Sequence, residues 1–121
     1  METKKKLTIA AVAIKKLSAK ILKKSKGVNL EASLDVLDDA LSVLDEASAI
    51  MEDVEEAKVA REYVDVAWVK ARDVCADILD QCLGGVQRDM MEITYLLDDA
   101  IENLEYEAGV KIPPAKKEIE E

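Results

Sequence analysis

The chain has 121 residues, 50% of them hydrophobic and 36% charged, with a formal net charge of −9. Only 4 Gly and 2 Pro, and 3% aromatics with no Phe, leave too few turn formers and too little aromatic bulk for a sheet; they point to one helical domain cored by Leu, Ile, Val, Ala and Met. The absence of histidine removes Ser-His and Cys-His nucleophile activation, histidine zinc sites and the Glu-x-x-His pairs that hold two irons in helical bundles.

A first helix is expected over residues 4–26. Leu7, Ala10, Ala11, Ile14, Leu17, Ile21 and Leu22 recur at three and four and share a sector of about 140°, with most lysines outside it. Ile9 and Val12 sit among the lysines. "KKSKG" closes the helix, because lysines suit its carbonyl end and Gly27 supplies a left-handed residue. The stretch also has the look of a secretory leader, but Lys15 and Lys16 cut its apolar run short. No window of about 20 apolar residues exists for a spanning helix, and the expected location is the cytoplasm. Residues 1–26 hold nine lysines against Glu2 alone, a net +8, while the rest, with 8 basic and 25 acidic residues, carries −17. The lysine segment therefore has a natural partner within its own molecule. If nucleic acid or anionic membrane is bound, the contact must come through residues 1–26, with Lys15, Lys16, Lys20, Lys23 and Lys24 as candidates.

A second helix is expected over 29–52, with Asn29 as its N-cap. Residues 30–83 contain neither Gly nor Pro, and as one helix they would be about 80 Å long, against about 35 Å for a compact chain of this size. One heptad seam, Val36, Ala40, Val43, Ala47, Ile50, Val54, Ala57, Arg61, Val64, Trp68, Ala71, Cys75, Ile78 and Cys82, favours a continuous rod. A second stripe, Leu30, Leu34, Leu37, Leu41, Leu44 and Met51, stops near residue 52, and Ala60, Ala67 and Val74 widen the apolar face beyond it. Asp53 and Glu56 have capping-box spacing. The reading adopted is a reversal there, with a third helix over 54–83; the alternative is an elongated three-helix chain that dimerises through its heptad seams. Cys75 and Cys82, seven apart, read as seam residues whose separation of about 10 Å forbids an intrahelical disulfide.

The last helix is expected over 89–108, opened by a capping box of Asp89 and Glu92 and striped by Met90, Ile93, Leu97, Ala100, Ile101 and Leu104. Residues 1–109 then form the domain, and 110–121 a charged, Pro-containing tail. "LDDALSVLDEA" and "LDDAIENLEYEA" echo one another, as heptads built from leucine, alanine and acids do by convergence.

No Gly-rich phosphate loop or calcium loop occurs. Glu52, Glu55 and Glu56, followed by Asp73, Asp77 and Asp80, resemble the ExxE and ExxD pattern of all-helical nucleotide pyrophosphohydrolases over a small part of the chain. That resemblance implies a magnesium-dependent hydrolase, although those enzymes place a turn between the two sets where this sequence is helical throughout. The residues themselves read as acidic stripes on a solvated face, to which Asp38, Asp39, Glu46 and Glu52 belong. The expectation is an all-α, up-and-down four-helix bundle that acts without cofactor or small-molecule substrate. It would serve as an interaction or assembly module, taking a protein partner, a second copy of itself, or both.

Overall fold

The chain reverses after Met51, so the long span without Gly or Pro is two helices and the elongated alternative does not hold. This follows from a computed structural model in which residues 2–27 and 30–112 are described. Four helices, α1 (Glu2–Ser25), α2 (Ser33–Met51), α3 (Lys58–Leu79) and α4 (Val86–Glu107), are joined by short connections. Single 3-10 turns at Leu30–Ala32 and Glu55–Ala57 lead into α2 and α3. At 19 to 24 residues the helices are about 29 to 36 Å long, close enough in length to pack side by side. α1 packs on α2, α2 on α3, α3 on α4, and α4 closes against α1. Ser48 on α2 bonds Asp65 on α3, and Gln87 at the start of α4 bonds the Ser25 carbonyl at the end of α1, so neighbours run antiparallel. This is the up-and-down bundle.

Each helix commits one stripe to the core. On α1 it is Leu7, Ala10, Ala11, Ile14, Leu17 and Ile21, as the spacing predicts, with Leu22 only half-buried. On α4, Met90, Ile93, Leu97, Ala100, Ile101 and Leu104 are all buried. On α2 the fully buried residues are Leu37, Ala40, Leu44, Ala47 and Met51, while Val36, Val43 and Ile50 of the heptad seam lie at the edge. On α3 the buried face shifts the opposite way, to the residue before each outlying seam position instead of the residue after it. There Ala60, Val64, Ala67, Ala71, Val74 and Ile78 are buried, Trp68 and Cys75 are half-buried, and Arg61 stands outside the core. Arg61 donates to Ser48 Oγ at 3.0 Å, and Ser48 donates to Asp65 at 2.7 Å, tying α3 to α2 at their common end. Small residues on α3 thus meet large ones on α2 and α4, which lets the backbones approach without voids.

The ends of the helices differ from the expected ones for identifiable reasons. At the α2 exit, Glu52 is extended (φ −62, ψ 135), Asp53 is left-handed (φ 68) and the Val54 amide reaches the Met51 carbonyl at 3.1 Å. Those values define a type II turn, in which the third residue must have positive φ. Asp53 is therefore the pivot of the reversal rather than the cap of α3, which carries no side-chain cap. Asp53→Val is expected to lower stability by about 1–2 kcal/mol and Asp53→Gly to leave it unchanged or raised, as read by urea denaturation followed through Trp68 fluorescence.

α3 stops at Leu79 rather than 83. Gln81 takes the left-handed conformation (φ 64), with its amide on the Ile78 carbonyl at 3.1 Å and the Cys82 amide on that of Asp77 at 2.7 Å. This is a Schellman closure that leaves Gly84 in the following turn. α4 begins at Val86, with Gly85 at the cap position, so Asp89 lies within its first turn, where a carboxylate still favours the helix dipole. Gly109 (φ 66) ends α4 as expected, but the chain beyond it is not all loose tail: Val110 is buried, and its amide returns to the Leu104 carbonyl at 3.2 Å. The expected cap at Asn29 and residues 113–121 of the tail lie outside the described residues.

Candidate functional site

Sequence order segregates charge among the four helices, and the bundle sets it out in space. α1 presents lysines to solvent, while its two neighbours, α2 and α4, present acids. Lys15, Lys16, Lys20, Lys23 and Lys24 are all exposed, as are Asp38, Asp39, Glu46 and Glu52. On α2, Asp38 and Asp45, seven apart, repeat along one line, with Glu52 seven further on, just past the helix end; Asp39 and Glu46 repeat along another. The first line borders α3, where Asp38 is near enough to Cys75 to act on its thiol and Asp45 shares a shallow groove with Ser48, Asp65 and Trp68.

The lysine helix does not pair with these acids. Among the described residues no α1 lysine has a carboxylate within 4.0 Å; the ion pairs are Arg61–Asp65, Lys70–Glu92, Arg72–Asp73 and Arg88–Asp89. Lys15 lies in a groove with Asp98, Asp99, Glu102 and Glu105, yet the direct polar contact from α1 to this row is, among the described residues, Ser18 Oγ donating to Asp98 at 3.0 Å. The helix docks by its apolar stripe and leaves both sets of charges facing water. Long-range attraction between them persists over roughly a Debye length, about 10 Å at 0.1 M salt.

The two acidic sets of the pyrophosphohydrolase-like pattern do not converge. Glu52, Glu55 and Glu56 lie at the turn into α3, and Asp73, Asp77 and Asp80 near its far end, roughly 25 Å away along the helix axis. Among the described residues no group of three or more acids, cysteines or histidines is arranged to hold a metal ion. No described helix is long and apolar enough to cross a membrane. Both cysteines are free; burial and the nearby Asp38 charge push the Cys75 thiol above its ordinary pKa, which makes its thiolate scarce at neutral pH.

Glu92 is a carboxylate whose partner across the helix interface shifts its titration. Its hydrogen bond to Lys70, at 2.9 Å, and the charge of that lysine hold it below the usual glutamate range. A carboxyl group depressed in the folded state adds stability above its unfolded pKa and loses it as pH falls through the folded value. Acid should therefore destabilise the native chain more steeply than Glu92→Gln below about pH 4.5, near the ordinary glutamate value. Melting temperatures of the two proteins between pH 7 and pH 3 test this: a gap at neutral pH that narrows on acidification is expected, and parallel curves would contradict it.

Between α3 and α4, Tyr63, Asp99, Glu102, Asn103, Glu105 and Tyr106 line an open groove of about 500 Å³. The acidic row of α4 is visible in the sequence as a stripe, but its union with the two tyrosines is not, since the helices meet only in the fold. Within α3, the i,i+4 spacing brings Arg72 over the Trp68 ring at 5.3 Å from its centroid. The fold and this site define a four-helix bundle with one basic helix set between two acidic ones. No known family, curated protein or solved structure gives a significant match to the chain.

Proposed function

We propose that the chain is a non-catalytic helical binding module of the cytoplasm, which recognises a basic segment of a protein partner through the acidic faces of α2 and α4. The observation that carries this reading is the absence of internal neutralisation. Among the described residues, Asp38, Asp39, Glu46, Glu52, Asp99, Glu102 and Glu105 have no cation within 4.0 Å, although a lysine-rich helix lies between the two faces. Two acidic faces with low-dielectric walls raise the local concentration of cationic segments and speed their capture, with a strong dependence on salt.

A second reading has its own support. Lys15, Lys16, Lys20, Lys23 and Lys24 are also exposed and, among the described residues, have no carboxylate within 4.0 Å, so the α1 face suits a polyanion such as nucleic acid or a phospholipid surface. Insertion into a membrane is not part of it, because Leu7, Ile14, Leu17 and Ile21 belong to the core.

A 14-residue lysine–serine peptide distinguishes the two. At low salt it is expected to bind the wild-type chain, and changing Asp38, Asp39, Glu46 and Glu52 together to their amides should weaken it about tenfold, at about 0.3 kcal/mol per charge. Unchanged binding by the amide variant removes α2 from the interface. Binding of DNA in place of the peptide, lost on changing the five α1 lysines to glutamine, would establish the second reading. The glutamine variant is preferred to truncation, since α1 supplies one wall of the core.

A further inference from the structure

Val59, Tyr63 and Val66 fall at i, i+4 and i+7 on α3 and so form one stripe along the helix. Tyr63 is the α3 residue of the groove whose other wall is Asp99, Glu102, Asn103 and Tyr106 of α4, so the stripe runs along the groove's edge, one valine about a turn to each side of the tyrosine. Val59 is 45% exposed, Val66 52% and Tyr106 86%. Further along, the Lys70–Glu92 pair at 2.9 Å bridges the two helices and closes the groove. From Val59 to Lys70 is about 16 Å, or three helical turns. The groove thus has an apolar wall on α3 and an acidic one on α4. Asp99, Glu102 and Glu105 can only accept hydrogen bonds, Tyr63, Tyr106 and Asn103 can both accept and donate, and among the described residues the buried Oδ1 of Asn103 has no partner.

We propose that this groove docks a basic amphipathic helical segment of another protein. Its apolar residues would rest on Val59, Tyr63 and Val66, and its Lys or Arg donors would meet Asp99 and Glu102. The opposite signs of charge select a cationic segment, and the valine stripe selects one that also carries an apolar face. Aromatic rings at the groove favour cations beside them, which adds to the same preference. The chain's own α1 in a second copy fits less well. It is basic, but Ile9 is the only large apolar residue it strongly exposes, because the rest of its apolar side is buried. The inference rests on the acidic-surface reading and adds to it a location and an apolar contribution.

The test uses the full chain and two 14-residue fluorescent peptides with lysines at the same positions. One carries leucine at i, i+3, i+4 and i+7, and the other carries serine there. The leucine peptide is expected to bind about tenfold tighter than the serine peptide. Val59→Ser with Val66→Ser should remove that margin while leaving the serine-peptide affinity and the helical circular dichroism unchanged. Asp99→Asn with Glu102→Gln should weaken both peptides. Equal affinities for the two peptides, or a margin that survives the valine changes, would overturn the groove and leave the acidic-surface reading standing. Failure of the wild-type chain to bind either peptide would overturn both. Self-association of the wild-type chain, abolished by the two serine substitutions, would assign the groove to a second copy instead and overturn the proposal.

Discussion

Leu97→Ala should lower the unfolding free energy by about 2–5 kcal/mol, the cost of lost transfer energy plus the cavity left where neighbours relax only in part. Leu97 is completely buried midway along α4, within the stripe that faces the bundle interior, and other large side chains of the same helix, Ile93, Ile101 and Leu104, surround its place in that stripe. A domain of this length is stable by only about 5–15 kcal/mol, so the change removes a large fraction of the total. Leu22→Ala deletes the same atoms at a half-buried position of α1 and should cost clearly less. Urea denaturation followed by Trp68 fluorescence and helical circular dichroism measures both. Equal losses would mean that the core does not lie where the buried stripes place it.

Ala67→Leu tests the opposite fault. Ala60, Ala67 and Ala71 are fully buried and hold α3 close to α2 and α4, so a larger side chain must push the helices apart or adopt a strained rotamer, at about 1–3 kcal/mol. Val66→Leu, one residue away, places a similar side chain on an exposed surface and should stay within about 0.5 kcal/mol of the wild type. The contrast between adjacent positions depends only on which way α3 is turned. It therefore separates the observed packing from the heptad seam through Trp68 and Cys75.

That seam marks where the sequence was least legible. α1 and α4 each have one clean stripe and a glycine at the exit, so apart from Leu22 the apolar residues that spacing assigns to those stripes are the ones buried. In α2 the stripe through Val36, Val43 and Ile50 and the stripe through Leu37, Leu44 and Met51 are one residue, about 100°, apart and share Ala40 and Ala47. Periodicity cannot choose between them, because the choice depends on the position of α1 and α3. The persistence of the seam across residues 52–57 misled in the same way. The type II turn at Glu52 and Asp53 breaks the helix while leaving the residue count in phase. Its pivot was hidden because an aspartate occupies the left-handed position usually marked by glycine, as Gln81 does at the end of α3.

The charge pattern was legible as composition and misleading as contact. The excess of lysine at one end and of acid over the remainder suggested a clasp, yet α1 is held by its apolar stripe, by Ser18 on Asp98 and by Gln87 on the carbonyls of Ser25 and Gly27. Exposed pairs of long side chains gain little when ordered, so the fold does not depend on them. This leaves Asp38, Asp39, Glu46 and Glu52 available to a partner. The groove of Tyr63 and Tyr106 could not be read from local sequence, because only the antiparallel pairing of α3 and α4 assembles its two walls.

The central functional claim is that the acidic faces flanking α1 are the recognition surface. Titrating the isotope-labelled chain with the lysine–serine peptide at low salt, and following backbone amide shifts by nuclear magnetic resonance, tests it most directly. Saturable shifts on α2 around Asp38, Asp39, Glu46 and Glu52 and on α4 around Asp99 and Glu102, with the Lys15–Lys24 stretch of α1 unmoved, are the predicted result. A titration that leaves those acidic segments unshifted would contradict the account.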